Sequence, residues 1–112
     1  MFNKVILVGH LTKDIELRFM QSNTAIGKTS VAVNRKYTIN NEKMEKTMFI
    51  DIVFFARLAE IANEYIRKGV KILIEGRLVQ ETWQSTTGQN RSKHVVVVEN
   101  MQMLGDNTID RG

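Results

Sequence analysis

Residues 47 to 76, TMFIDIVFFARLAEIANEYIRKGVKILIEG, constrain the fold of this 112-residue chain more than any other stretch. They read as strand, helix, strand. From 47 to 55, strand alternation puts Met48, Ile50, Ile52 and Phe54 on one face and Phe49, Asp51, Val53 and Phe55 on the other. A lone ionised carboxylate costs several kcal/mol or more to bury, so the face that carries Asp51 meets water. That places two phenylalanines outside, about 20 Å apart along the strand. An isolated outward phenylalanine has a plain alternative, cover by a loop or by a second subunit, and the remainder of the chain has to decide between the two.

The helix is expected from Arg57 to Lys68, with Leu58, Ile61, Ala62, Tyr65 and Ile66 forming one apolar stripe. Arg67 and Lys68 would then lie in its last turn, Gly69 would supply the left-handed stop, and Tyr65 would be core. Beyond it, VKILIEGRLVQETW alternates over residues 70 to 83. Val70, Ile72, Ile74 and Leu78 are expected to point in; Lys71, Glu75, Arg77, Glu81 and Trp83 are expected to point out. Gly76 in the middle reads as a bend or bulge. The single tryptophan thus ends a strand on its charged face, although tryptophan is usually mostly buried.

Upstream, Asn3 to Gly9 is apolar on both parities, Val5 and Leu7 against Ile6 and Val8, as in a strand covered on both faces. In a domain this small one cover is its own core and the other a second subunit. The chain is expected to turn from His10 to Asp14 and to resume as a strand over Glu16 to Gln21, a long first strand bent near Gly9. A strand over 28 to 37 follows, with Val31 and Val33 inside. Tyr37 shares their parity, so periodicity alone buries it. Residues 38 to 46 read as a polar hairpin loop around Asn40 and Asn41, residues 85 to 91 as a second loop, and 92 to 104 as the last strand. Five strands with a helix between the third and fourth match a small Greek-key barrel of the oligonucleotide/oligosaccharide-binding (OB) type, mainly all-β. An open α+β sheet has the same periodicity; the glycines at 9 and 76 favour closure.

Composition narrows the function. A chain of this length forms one domain, and no apolar run approaches the ~20 residues that span a bilayer. The start MFNKVILVGHLTKD lacks the features of a secretory leader and reads as a first strand in a cytosolic protein. With no cysteine there is no thiolate chemistry and no disulfide, and the net charge of +4 favours a polyanionic partner. AIGKTS at 25 to 30 lacks the first glycine of a phosphate loop and opens a strand instead of a helix. His10 and His94 lie far apart without carboxylates at ligand spacing, so neither a metal nor another cofactor is expected. No nucleophile elbow is present, and the chain does not read as an enzyme.

What remains is flat rings with cations between them. Nucleobases stack on aromatic rings for about 1–3 kcal/mol each, whatever the base, while lysine and arginine track phosphates. Tyr37, Phe49, Phe55 and Trp83 are candidate platforms, and Arg35, Lys36, Arg57, Lys68, Lys71 and Arg77 are candidate backbone contacts.

NKVILVGHLTKDIELRFM at 3 to 20, FFARLAEIANEYIRKG at 54 to 69, ILIEGRL at 72 to 78 and MQML at 101 to 104 resemble the bacterial single-stranded DNA-binding protein family. The resemblance runs from Asn3 to Leu104. It implies an OB-fold domain over residues 1–105 and the start of a flexible tail over 106–112. It also implies a bacterial cytoplasmic, nucleoid-associated homotetramer that coats single-stranded DNA in replication, recombination and repair, without a membrane partner. The family's stacking positions fall on Tyr37, Phe49, Phe55 and Trp83, which overrules periodicity for Tyr37. The family commonly has tryptophan at the first two, so weaker stacking per base is implied. Arg57 and Lys68 fall on basic family positions. Asp51 and Glu81 stand where members often carry arginine. Ile50 falls on a position tied to subunit association and joins Val5, Ile6, Leu7 and Val8 as the expected interface. The family recruits replication and repair proteins through an acidic tip at the end of a long tail, and no such tip occurs within these 112 residues. Two other readings stay open on residues alone: a dimeric OB-fold accessory protein of the primosome, and an interaction scaffold whose rings meet protein.

Overall fold

The computed structural model describes residues 1–104. The expected tail over 106–112 lies outside the described residues. The elements are β1 (Val5–Leu11), β2 (Glu16–Phe19), β3 (Ala25–Ile39), β4 (Glu42–Phe55), α1 (Ala56–Tyr65), β5 (Lys71–Gln84) and β6 (Asn90–Met103). They form one sheet in the order β1-β5-β6-β4-β3-β2, and a further pairing of β1 with β3 closes it into a barrel. The ring therefore has five strands, β1, β3, β4, β5 and β6, and β2 is a short extension paired with β3.

Closure depends on two backbone crossings. A Cβ at Gly9 would lie 2.5 Å from the carbonyl oxygen of Ala32, and one at Gly76 would overlap the carbonyl oxygen of Val97. Only a residue without a side chain lets the strands approach that closely. Gly76 also marks the bulge between β5 and β6, where the register shifts after Glu75. Asn3 clamps the N-terminal segment beside this bulge: its Nδ2 donates to the Leu78 carbonyl at 2.9 Å and its Oδ1 accepts from the Leu78 N–H at 2.8 Å.

Inside the ring, Ile52, Phe54, Val31, Ile72, Ile74 and Val96 are fully buried, and Ala59, Ala62 and Ile66 close one end. Within β4, Ile52 and Phe54 lie inside as expected, but Val53, expected on the water-facing side, is also buried, at 3% exposure.

Several expectations are corrected. The helix ends at Tyr65 instead of Lys68. Ile66 leaves the helical conformation (φ −113, ψ 131) and buries its side chain, and the turn that follows docks on β1 through Gly69 N–H to the Leu11 carbonyl at 2.8 Å. Gly69 does take a positive φ of 90, but in that turn and not as the helix stop. Tyr65 is 57% exposed, not core, because the apolar stripe turns inward at Ala59, Ala62 and Ile66. Residues 38 to 46 are not a loop. β3 and β4 continue to a two-residue turn with Asn40 and Asn41 at φ 52 and 66, as a type I′ hairpin requires. This ribbon projects beyond the core and is solvated on both faces, so its sequence is polar without being irregular. The first strand also continues through Gly9, changes partner from β5 to β3 at His10, and breaks only after Leu11. Leu78, past the bulge, keeps the face of its partner Val96 but is exposed, at 40%, and not buried as expected.

Candidate nucleic-acid interface

Residues paired across a sheet share a face, so the register defines one outer face over four strands, exposed at its rings and charges but buried at Val53 and Val95. β4 contributes Phe49, Asp51, Val53 and Phe55; β3 opposes them with Ala32, Ser30, Lys28 and Ile26. On the other side β6 pairs Val95 with Asp51 and Val97 with Val53, and β5 pairs Glu81 with Lys93 and Trp83 with Arg91. Phe49, Phe55 and Trp83 are 68%, 39% and 47% exposed on this surface. They are exposed because the barrel interior is already filled from the other parity of the same strands.

Tyr37 lies elsewhere on the ribbon. It pairs with Met44, on the parity of Val31 and Val33, and is half-buried, with the Arg35 guanidinium 5.4 Å from its ring centroid. Periodicity assigned its face correctly; the ring stays accessible because the ribbon has no core beneath it. A recess of about 480 Å³ lined by Lys36, Tyr37, Lys43 and Met44 opens beside it.

The expected cations are scattered. Arg35 and Lys36 are exposed on the ribbon near Tyr37. Arg57 is exposed at the start of α1 and pairs loosely with Glu60 at 3.3 Å. Arg77 stands opposite Val97, and so on the aromatic face, where it pairs with Glu99 at 3.1 Å. Lys68 is exposed in the turn whose N–H donates to Asp14 at 2.7 Å. Lys71 stands opposite His10 at the far end of β5 from Trp83, and the structure does not bring it to the aromatic face.

Lys28 and Lys93 do lie on that face, and the sequence reading passed over both. The parity of β3 from the inward Val31 and Val33 places Lys28 outside, and pairing across the second hairpin places Lys93 opposite Glu81. Lys93 Nζ donates to Asp51 Oδ2 at 2.7 Å, and this hydrogen bond holds the ammonium above its ordinary pKa. A recess of about 420 Å³ lined by Lys28, Glu81, Thr82, Trp83 and Lys93 joins these charges to the indole.

Of the residues expected to meet another subunit, Val5, Leu7 and Ile50 pack against the barrel's own core. Ile6 and Val8 face outward and are exposed. The β1 backbone from Val5 to Gly9 has one paired edge, toward β5, and one open edge.

Among the described residues no group of three or more His, Cys, Asp or Glu is placed to hold a metal, and no helix is long and apolar enough to cross a membrane. His10 pairs with Lys71 and His94 with Gln80, on different parts of the barrel.

A closed five-stranded barrel with a helix between its third and fourth ring strands is a barrel of the OB type. The model of the single-strand binding protein family matches residues 2–104, and the chain belongs to that family. It is 49% identical over 113 residues to the single-stranded DNA-binding protein of Wolinella succinogenes, covering 100% of this chain and 70% of that protein. It is 48% identical over 105 residues to the protein of the same description from Helicobacter hepaticus, and 41% identical over 105 residues to that from Helicobacter pylori. Those matches cover 93% of this chain but 62% and 59% of the two relatives.

Proposed function

We propose that this protein binds single-stranded DNA without sequence preference, as a binding protein and not a catalyst. Bases would stack on Phe49, Phe55 and Trp83, with Tyr37 extending the path along the ribbon. Lys28, Arg35, Lys36 and Arg57 would meet the phosphates, with Lys68 and Arg77 at the margins. The observation that carries this reading is the placement of three solvent-facing rings on one outer surface of β4 and β5, with lysines between them. Membership of the single-strand binding protein family and the names of the relatives support it. Unpaired bases present π faces that a duplex keeps stacked inside, so single strands should be selected by the rings and held by the cations.

The working form would be a homotetramer in the bacterial cytoplasm, serving replication, recombination and repair. The open edge of β1 and the outward Ile6 and Val8 offer the surface for self-association. Recruitment of replication and repair enzymes would belong to the tail that follows the barrel in the family.

Competition binding tests the reading. Unlabelled single strand should displace a labelled dT oligomer while duplex of equal length competes poorly, and log affinity should fall with log salt by about 0.7 per neutralised phosphate. Duplex competing as well as single strand would contradict stacking. Light scattering should give four times the 12.9 kDa chain mass, and a monomer at micromolar concentration would contradict the assembly.

A further inference from the structure

At the centre of the aromatic face the charges cancel instead of adding. A groove of about 180 Å³ is lined by three lysines and three carboxylates, Lys13, Lys28, Lys93, Glu16, Asp51 and Glu81. Lys93 is engaged from two sides, hydrogen-bonded to Asp51 on β4 at 2.7 Å and directly opposite Glu81 on β5. The pair is not sealed: the Lys93 and Asp51 side chains are 45% and 44% exposed, so a phosphate oxygen can reach Nζ without any movement of the barrel. The same lysine lines the recess at Trp83. A base stacked on the indole would thus carry its strand along the recess that Lys93 also lines.

We propose that Asp51 is a specificity-determining residue that stands in for phosphate in the free protein, holding Lys93 until a strand anchored by stacking displaces it. This inference rests on the single-strand reading above. A polyanion that cannot stack must compete with Asp51 by charge alone, and an exposed ion pair is weak but local, so it selects against ligands that bring only charge. A stacked strand has its phosphate held at high effective concentration beside Nζ and exchanges one anionic partner for another. Asp51 thus lowers affinity for all nucleic acids and raises the discrimination between single strand and duplex.

The test is a cycle of four proteins, the parent chain, D51N, K93Q and D51N/K93Q, each titrated with a dT oligomer and with duplex of equal length over a range of salt. With lysine at 93, D51N should bind the oligomer roughly 2- to 5-fold tighter, as releasing a weak surface ion pair allows. Its salt slope should steepen by up to about 0.7, because no freed carboxylate then takes up a cation to offset the one released as phosphate binds Lys93. Duplex should gain by a larger factor, narrowing the ratio between the two ligands, and an equal or smaller gain for duplex would overturn the specificity role. With glutamine at 93, D51N should leave the slope unchanged, because removing a repulsive charge frees no cation. An equal change of slope in both backgrounds, or no change in either, would overturn the proposal while leaving parent-chain binding of dT intact. A parent chain that binds no oligomer overturns both readings. E81Q provides a second variant at the same lysine and should shift the slope in the same direction.

Discussion

Phe49 stands directly opposite Ala32 in the register of β3 and β4. A methyl group cannot shade a phenyl ring, so Phe49 is the most open of the aromatic platforms at 68% exposure. The ring contributes little to the barrel and is free for a ligand. Phe49→Ala should weaken binding of a dT oligomer by about 1–3 kcal/mol. Its unfolding free energy should stay within about 0.5 kcal/mol of the parent. Fluorescence anisotropy and urea unfolding measure the two quantities separately.

The bulge at Gly76 makes a different prediction. A methyl there meets the Val97 carbonyl oxygen, a backbone atom that cannot rotate away. Gly76→Ala should destabilise the barrel by about 1–3 kcal/mol, as overpacking does. An unchanged urea midpoint would mean that the crossing of β5 and β6 can widen freely.

Ala56 has the opposite mismatch. It joins β4 to α1 at φ 57, in the left-handed region, with a side chain that disfavours it. The left-handed conformation costs an L-residue about 1–2 kcal/mol, and glycine gives back about 0.5–1 kcal/mol of that in chain entropy. Ala56→Gly should therefore raise stability by up to about 1 kcal/mol, read as a higher urea midpoint.

Acid should loosen one contact of the β1–β5 face. Lys4 donates to Glu75 at 2.7 Å, and this hydrogen bond, with the attraction between the charges, lowers the Glu75 pKa and raises that of Lys4. A depressed carboxylate contributes stability above its ordinary value of 4.5 and loses it as pH falls through the folded value. NMR titration should find the Glu75 midpoint below 4.5 in the parent and moved back toward it in Lys4→Met. The stability of that variant should fall less on acidification through this range.

Much of this was legible without coordinates, for identifiable reasons. The buried parity of Ile52 and Phe54, the outward Phe49 and Phe55, and the bulge at Gly76 all follow from alternation and from where glycine interrupts it. Alternation fails where no core lies beneath the strand. Residues 38 to 46 are polar because both faces of a projecting ribbon meet water, and a polar strand reads like a loop. Leu78 sits past the bulge, where the inward parity no longer leads to the core. The helix end was misplaced because Ile66 continues the apolar stripe in sequence while reaching the core from an extended backbone. The side chain of Arg67, expected inside the last turn, instead donates from beyond it to the Asn63 and Ile66 carbonyls at 2.7 and 3.1 Å. The cations show the same limit. Listing basic residues near aromatics in sequence found Lys71, which the fold carries away, and missed Lys93, which only the pairing of β6 with β4 and β5 brings beside Asp51 and Trp83.

Emission from Trp83, the only indole in the chain, tests the central claim most directly. Titration with a dT oligomer should quench it to saturation, with a midpoint that moves to higher concentration as salt is raised, while duplex of equal length leaves it nearly unchanged. Oligomer binding that is evident by anisotropy yet leaves the emission unaltered would contradict the account.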